Sequence, residues 1–233
     1  MIAFQYDPTL AAAYPALVGG VIVAGQVHNG PSPDALSVEF LAAQKDTIAR
    51  IGATPLSELP SLAAWRGVFR SFGIDPTQYR NAAEALLRRL TKKGDLPQIN
   101  ALVDLANLVS IRYALPVAVF DRRSIRGVLT VHFAQGAERF TTLNESEVEH
   151  PVPGEVIFSD QDGRVAARRW CWRQSEESAA RAETTDIIVT VEAHHADGAR
   201  DVQAALDDLR SLLAKYAGGQ ATYAILGREQ LAL

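Results

Sequence analysis

Three polar side chains are spaced along one apolar segment so that they could act together. In INALVDLANLVSIRYALPVAVFD (residues 99–121), Asn100, Asp104 and Asn107 interrupt an almost continuous apolar run. At about 100° per residue in a helix, the three fall within an arc of roughly 60°. An unpaired buried amide or carboxylate costs about 1–3 kcal/mol. The stripe must therefore either pair with other groups of the protein or line a pocket.

A second group of candidates lies in RVAARRWCWRQ (residues 164–174). The spacing predicts a strand over 164–172, in which Arg168, Trp170 and Trp172 share one face. Two indoles and a guanidinium can stack on a nucleobase, or the tryptophans can belong to the core. Arg173 follows the predicted strand and is the better candidate for contact with a ligand.

Basic residues cluster at the end of an amphipathic helix predicted over 78–93. Arg88, Arg89 and Lys92 can hold phosphates, or they can form an ordinary solvated face. Arg88 and Arg89 are adjacent and point in different directions, so at least one of them is expected to pair within the protein.

Common catalytic motifs do not occur in the sequence. There is no G-x-S-x-G elbow, no P-loop and no dinucleotide-binding glycine fingerprint. Cys171, the single cysteine, lies between two tryptophans and is predicted to be an inert buried thiol. His194 and His195 are adjacent and point opposite ways, so we expect neither a metal nor a cofactor. The glycine pair of VGG (18–20) is predicted to form a bulge in a strand.

The net charge of −4 argues against strong sequence-blind binding of nucleic acid, although it allows a local basic patch. The longest uncharged apolar run, ALVGGVIVAG, is far shorter than the ~20 residues that span a bilayer. With one cysteine and no export signal, we expect a cytoplasmic protein without membrane contact.

The element pattern favours an α+β fold. Helices are predicted mostly in the first half of the chain and strands mostly in the second. We expect a β-sandwich-like sheet core with helices packed around it, and one domain over residues 1–233.

The segment that holds the polar stripe resembles N-x-V-V-D-V-T-N-Y … P-L-H-A-F-D of the B3/B4 domain in the bacterial phenylalanyl-tRNA synthetase β subunit. The residues that match are Asn100, Val103, Asp104, Asn107, Pro116, Phe120 and Asp121. Three later segments resemble the family in the same order, namely IRGVLTVHFAQGAERFTTLNE, PGEVIFSDQDGRVAA and ETTDIIVTVEA. The resemblance covers roughly residues 60–195. Because other parts of a synthetase β subunit are missing, the chain resembles freestanding B3/B4-domain proteins.

The resemblance implies a function. The B3/B4 domain of the synthetase hydrolyses tyrosine that is wrongly esterified to the phenylalanine tRNA. A related chain is therefore expected to be a trans-editing deacylase of misacylated aminoacyl-tRNA, which needs a positioned water but no metal and no covalent intermediate. Asp104, Glu155 or Glu192 could pair with the α-amino group of the substrate.

From this reasoning we predict a role for each candidate. The catalytic candidates are Asn107, Glu155 and Glu192, and the substrate-binding candidates are Asn100, Asp104 and Arg173. Contact with tRNA is expected from Arg88, Arg89, Lys92 and Arg168. For Asp104, internal hydrogen bonding is the favoured alternative, and for Glu155 an exposed strand end is equally compatible with the sequence.

Two departures from the family pattern imply a rebuilt pocket. Ala118 replaces the histidine of L-H-A-F-D, and RRWCWRQSEES replaces a glycine-rich stretch that carries a pocket glutamate, leaving Glu176 or Glu177 as possible substitutes. Tyrosine specificity is therefore not carried over. Two alternatives stay open, a non-catalytic binder of an amino acid or of a tRNA acceptor end, and a general nucleic-acid binder that uses the basic clusters within residues 88–93 and 122–126.

Overall fold

Helices in this protein begin and end at residues that suit helix termini. The structure is a computed structural model that describes residues 2–233, and the helices of this range are α1 (Pro8–Ala13), α2 (Asp34–Ile51), α3 (Pro60–Ser71), α4 (Ala82–Lys93), α5 (Ala101–Tyr113) and α6 (Gly198–Tyr216). The Asn81 side chain accepts a hydrogen bond from the Glu84 amide at 2.9 Å and caps α4, which ends at Gly94 in a left-handed conformation.

The strands form two larger sheets and one small two-stranded sheet. In chain order the strands are β1 (Phe4–Tyr6), β2 (Val18–Gly25), β3 (Val117–Asp121), β4 (Leu129–Phe133), β5 (Phe140–Thr141), β6 (Val148–Glu149), β7 (Val156–Ser159), β8 (Val165–Arg168), β9 (Arg173–Gln174), β10 (Ile187–Ala193) and β11 (Gln220–Leu226). One sheet has the order β1-β4-β7-β8-β9 and the other the order β11-β2-β10-β3, while β5 pairs with β6. In the four-stranded sheet all neighbours are antiparallel.

The two larger sheets pack face to face. Because side chains alternate along β10, Ile188, Thr190 and Glu192 point towards the five-stranded sheet. Phe4, Phe120 and Phe158 belong to the core between the sheets. The opposite face of the four-stranded sheet belongs to a second core together with α2, α5 and α6, in which α6 contacts β2 and β10 and α5 contacts β3. The order of layers is therefore helices, four-stranded sheet, five-stranded sheet.

This arrangement confirms the predicted α+β fold with sandwich-like sheets and surrounding helices. Two local predictions were wrong. The chain leaves β8 at Arg168 and turns at Arg169 and Trp170, so no strand runs to residue 172. The register between β2 and β10 is regular across Gly19 and Gly20, so the glycine pair does not form a bulge.

Candidate active site

A cavity of about 280 Å³ lies where the edges of the two larger sheets come together. The edge strands β3 and β9 contribute one side each, and α4 and α5 form the remaining walls. Most of the lining is apolar and comes from both sheets and both helices, including Ala82, Leu86, Val103, Ala106, Val117, Ala118, Phe120, Phe158 and Ala167. An apolar cavity of this kind with a few polar groups is typical of a small-molecule site.

Glu192 is the buried carboxyl group of this cavity. It lies on the inner face of β10 and is only 2 % exposed. Its Oε1 atom accepts hydrogen bonds from the Tyr6 hydroxyl at 2.8 Å and from Trp170 Nε1 at 3.1 Å. Burial raises the pKa of Glu192 to about 7, although both hydrogen bonds act in the opposite direction. The group can therefore gain or lose a proton near neutral pH.

A glycine makes the contact between Tyr6 and Glu192 possible. Gly19 on β2 is the register partner of Glu192 on β10. A Cβ atom at Gly19 would overlap the Tyr6 hydroxyl oxygen. The absence of a side chain at this position therefore admits the phenol ring of a strand from the other sheet.

Asn107 and Thr190 add polar groups to the cavity. Asn107 is half-buried on α5, and within residues 2–233 its side-chain amide makes no hydrogen bond. Thr190 precedes Glu192 by two residues on the same face of β10, and its register partner on β3 is Ala118. The amide of Asn107 can thus donate to a ligand or a water molecule in the cavity.

The turn after β8 brings Trp170 to the carboxyl group. Arg169 has a φ of 47° and Trp170 a φ of 58°, a conformation that is uncommon for residues other than glycine. The Trp170 amide donates to the Val156 carbonyl at 2.6 Å, and the Arg169 amide donates to Glu155 Oε1 at 2.9 Å. These bonds hold the turn in the conformation that aims the indole N–H at Glu192.

Glu155 and Arg168 lie outside the cavity as a buried ion pair. Arg168 Nε and Nη2 donate to the two Glu155 carboxylate oxygens at 2.9 and 3.0 Å, and Nη1 donates to Glu149 at 2.7 Å. Both side chains are nearly inaccessible. The geometry contradicts contact of Arg168 with tRNA, and it leaves Glu155 no path to a water in the cavity. The pair instead supports the turn at Arg169 and Trp170.

The side chains of Asn100 and Asp104 form hydrogen bonds within the protein. Asn100 caps α5 by accepting from the Val103 amide at 3.0 Å, and it donates to the Ala180 carbonyl at 3.0 Å. Asp104 accepts from the Ser32 hydroxyl at 2.5 Å and from the Ile99 amide at 2.9 Å. Neither side chain lines the cavity, so the predicted substrate contacts are not supported, and the internal role favoured for Asp104 is the observed one.

Arg173, a predicted substrate-binding residue, lies at the mouth of the cavity. Its side chain is exposed, and its guanidinium lies 4.6 Å from the centre of the Trp172 ring. The Arg169 guanidinium lies between aromatic rings, 3.7 Å from the centre of Tyr79 and 4.4 Å from that of Trp172. The mouth thus combines a cation with aromatic surface, a combination that suits a carboxylate, a phosphate or a base.

The basic cluster of α4 is exposed beside this mouth. Arg88, Arg89 and Lys92 are all exposed, and Ala85 of the same helix lines the cavity. At about 100° per residue, the three basic positions lie within roughly 60° of Ala85 around the helix axis. Arg89 also pairs with Asp95, its Nη2 lying 3.7 Å from a carboxylate oxygen. The positive charge therefore extends along α4, which forms one wall of the cavity.

The remaining candidates do not add catalytic groups. Cys171 is half-buried in the cavity lining, and burial together with the charge of Glu192 raises the pKa of its thiol well above the ordinary value, which keeps the thiol protonated. Burial lowers the pKa of His194 to about 3, so its ring is neutral among Tyr14, Trp65 and Trp170.

The two glutamates proposed as substitutes for the family's pocket glutamate are engaged elsewhere. Glu176 pairs with Arg181, and Glu177 accepts from the Thr141 hydroxyl at 2.8 Å. Over the described range 2–233 there is no group of three or more His, Cys, Asp or Glu side chains arranged to hold a metal ion. In the same range no helix is both long enough and apolar enough to cross a membrane.

The structure thus collects Asn107, Arg173 and Glu192 from the predicted set and adds Tyr6, Trp170 and Thr190. Sequence reasoning gave no role to Tyr6 or Thr190, because neither lies in a motif and the contact between Tyr6 and Glu192 spans 186 positions of the chain. One local feature of the sequence pointed to this contact, namely the pair Gly19 and Gly20. A glycine in a strand can mark the close approach of another group, and Gly19 lies opposite Glu192.

The fold and the cavity define an α+β protein with a small-molecule-sized site between two sheets. A family model described as "B3/4 domain" matches residues 64–218. The match extends over more than half of the chain, and the chain belongs to the B3/4 domain family.

Curated relatives are phenylalanine–tRNA ligase β subunits. The chain is 38 % identical over 68 residues to the β subunit of Ruegeria pomeroyi, covering 29 % of this chain and 8 % of that one. It is 30 % identical over 159 residues to the β subunit of Geobacter metallireducens, covering 58 % of this chain and 19 % of the relative. The matched region therefore spans less than a fifth of either relative.

A solved structure was also found. It is an N-terminal fragment of the phenylalanyl-tRNA synthetase β subunit from Pyrococcus horikoshii, with a TM-score of 0.49 and 12 % identity. The alignment covers 97 % of this chain and 54 % of that chain.

Proposed function

We propose that this protein is a trans-acting deacylase that hydrolyses the ester bond of misacylated aminoacyl-tRNA. The observation that carries the proposal is the cavity, in which an apolar lining surrounds a carboxyl group with a pKa of about 7 and an amide that makes no hydrogen bond within residues 2–233. The relatives' names, phenylalanine–tRNA ligase β subunit, supply the substrate class.

The chemistry requires little beyond positioning. An aminoacyl ester is already activated, so a bound water and polarisation of the carbonyl group are sufficient, and correct positioning alone can contribute several kcal/mol. In this proposal Glu192 accepts a proton from the water, and Asn107 orients the water or the ester carbonyl. Neither role needs a metal or a covalent intermediate.

The mouth of the cavity supports a nucleic-acid substrate. Arg173 on β9 and the basic residues of α4 are exposed on the side from which a ligand enters. The 3′ end of a tRNA carries phosphates and a terminal base, which Arg88, Arg89, Lys92 and Arg173 can contact. A free amino acid also fits these groups, because its ammonium can pair with ionised Glu192 and its carboxylate with Arg173.

Turnover separates the deacylase from a non-catalytic binder. We would incubate the purified protein with a panel of mischarged tRNAs and measure release of the amino acid, beside Asn107→Ala and Glu192→Gln. Gln98→Ala, an exposed amide just before α5, is the matched control for Asn107→Ala. We expect rapid release of at least one non-cognate amino acid, reduced in both cavity variants and retained in the control.

Two results would contradict this proposal. No release from any tRNA by the folded protein would leave the binding function, in which case titration with free amino acids identifies the ligand. Release that is unchanged in both cavity variants would place the chemistry outside this cavity.

A further inference from the structure

We propose that Tyr6 is a positioning residue of the site, and that Tyr6 and Trp170 together fix Oε1 of Glu192 so that the exchangeable proton is carried on Oε2. The use of this proton in hydrolysis rests on the function proposed above. The arrangement of the three side chains does not, and it can be tested without a substrate.

The hydrogen bonds carry this assignment. The Tyr6 hydroxyl and the Trp170 indole N–H both donate to Oε1, at 2.8 and 3.1 Å. An indole nitrogen is a donor only, and a protonated phenol that donates to a carboxyl oxygen holds that oxygen as an acceptor. Burial and the neighbouring charge of Glu192 raise the pKa of Tyr6 well above its ordinary value, so the phenol stays protonated. Two hydrogens already aimed at Oε1 leave Oε2 as the oxygen that binds a proton.

The fold holds Tyr6 in place through segments outside the family match. Tyr6 and Gly19 precede residue 64, where the matched region begins. The Tyr6 amide donates to the Leu231 carbonyl at 2.9 Å, and the Phe4 amide donates to the Leu233 carbonyl at 3.1 Å. The C-terminal end of the described chain therefore holds β1 in place, and β1 and β2, which both precede the matched region, complete a site whose carboxyl group lies within that region.

A proton transferred to and from Oε2 accounts for every atom of the ester hydrolysis. Ionised Oε2 takes a proton from the bound water while the water oxygen attacks the ester carbonyl carbon. When the tetrahedral intermediate collapses, the bond between that carbon and the ribose oxygen breaks, and Oε2 returns the proton to the ribose oxygen. The products are a free amino acid and a tRNA with its terminal hydroxyl restored, and Glu192 ends as it began.

Several other titratable or charged groups face Glu192. Tyr6 reaches it from β1, Cys171 follows the turn after β8, Arg173 lines the cavity from β9, and His194 directly follows the end of β10. The Tyr6 phenol and the Cys171 thiol have raised pKa values, and His194 has a pKa lowered to about 3, so none of these three changes charge near pH 7.

Tryptophan fluorescence gives a readout that needs no substrate, because Trp170 donates directly to the titrating carboxyl group. We would titrate the emission of the protein between pH 5 and 9 in the unmodified chain and in Tyr6→Phe, Glu192→Gln and Tyr14→Phe. Tyr14 is the matched control, since the centres of the Tyr14 and Trp170 rings are 5.0 Å apart while the Tyr14 hydroxyl lies 3.1 Å from Ser71 Oγ.

We expect a midpoint near 7 in the unmodified protein and no such transition in Glu192→Gln. Loss of one donor to the ionised carboxylate should raise the midpoint in Tyr6→Phe by about one pH unit, and the pH profile of deacylation should move with it. Tyr14→Phe should leave the midpoint in place. An unmoved midpoint in folded Tyr6→Phe would overturn the assignment.

A second variant guards against misfolding of Tyr6→Phe. Trp170→Phe removes the other donor, and the infrared C=O stretching band of the protonated carboxyl group, taken as a difference against Glu192→Gln, reports its titration without the indole. If the titration midpoint of Trp170→Phe rises by as much as is expected for Tyr6→Phe, the assignment is supported. A midpoint that does not move contradicts it. A moved midpoint without any deacylation would remove the proposed function and keep the positioning role. Deacylation with an unmoved midpoint would keep the proposed function and remove the positioning role of Tyr6.

Discussion

Asn107 presents its amide to the cavity, whereas Asn100, two helical turns earlier, uses its amide entirely within the protein. Asn100 caps α5 and donates to the Ala180 carbonyl, while Asn107 makes no side-chain hydrogen bond within residues 2–233. One stripe of the sequence therefore contains a structural residue and a candidate functional residue of the same type. The structure separates their roles, and the two asparagines provide a matched pair for mutation.

Alanine substitutions should separate stability from activity at these two positions. Asn100→Ala should lower the free energy of unfolding by about 1 kcal/mol, because it removes a helix cap. Asn107→Ala should change it by less than about 0.5 kcal/mol and lower kcat/KM for deacylation by about tenfold to a hundredfold. Urea unfolding and single-turnover deacylation measure the two effects. Equal loss of stability in both variants would show that the Asn107 amide is also structural.

Glu192 should make the stability of the protein depend on pH. Its pKa is about 7 in the folded protein against an ordinary value of 4.5, so between these values the folded state binds more protons than the unfolded state. Stability from this group is present below pH 4.5 and is lost as the pH rises through 7, by about 3 kcal/mol in total. His194, with a folded pKa of about 3, acts in the opposite direction below pH 6.5.

Because His194 is present in both proteins, comparison with Glu192→Gln isolates the glutamate. The difference in unfolding free energy between Glu192→Gln and the unmodified protein should grow in favour of the variant as the pH rises from 4.5 to 8. Glu145→Gln, at an exposed position, serves as the control. A difference that stays constant over this range would mean that the carboxyl group keeps an ordinary pKa.

The buried pair of Glu155 and Arg168 should contribute to stability and not to tRNA binding. Arg168→Ala leaves the Glu155 carboxylate buried without its main partner, which should cost about 3–5 kcal/mol. Arg88→Ala removes an exposed guanidinium and should change stability by less than about 0.5 kcal/mol. Chemical denaturation of both variants measures this contrast. A mild effect of Arg168→Ala would mean that the pair is replaceable and that the turn after β8 has other support.

The basic residues of α4 should govern the salt dependence of tRNA binding. If Arg88 and Lys92 each contact one phosphate, their joint replacement by serine should reduce the slope of log affinity against log salt by about 1–2. Binding to tRNA is measured by filter retention between 50 and 200 mM salt, and Lys45→Ser on α2 is the control. An unchanged slope would remove this face of α4 from the tRNA interface.

Replacement by alanine should change the stability of the protein in opposite directions at two glycines. At Gly19 a Cβ atom would overlap the Tyr6 hydroxyl, so Gly19→Ala should destabilise the protein by about 1–3 kcal/mol and weaken the contact with Glu192. At Gly67, inside α3, a Cβ atom has nothing within 4 Å, so Gly67→Ala should stabilise the protein by about 0.5–1 kcal/mol. Thermal unfolding compares the two. A neutral Gly19→Ala would show that Tyr6 can move aside.

Local sequence patterns determined the elements of the fold. Apolar spacing predicts a helix that runs into a strand over residues 99–121, and strands over 155–159 and 186–194. The observed α5, β3, β7 and β10 lie within these ranges. These elements depend on residues a few positions apart, and the helical or extended period is visible without knowledge of the rest of the chain. The predicted strand over 164–172 failed at Arg169 because a buried carboxylate, Glu155, holds that turn from another part of the chain.

Tertiary structure decided which of the candidate residues form a site. The sequence supplied Asn107, Arg173 and Glu192, but it gave equal weight to Glu155, whose carboxylate proved to be neutralised by Arg168. Only the packing of two sheets brings Tyr6 to Glu192, and only the lack of a side chain at Gly19 permits the contact. Burial, partner and charge state depend on groups far apart in the chain, so residue types alone could not distinguish a carboxylate open to a ligand from one enclosed in an ion pair.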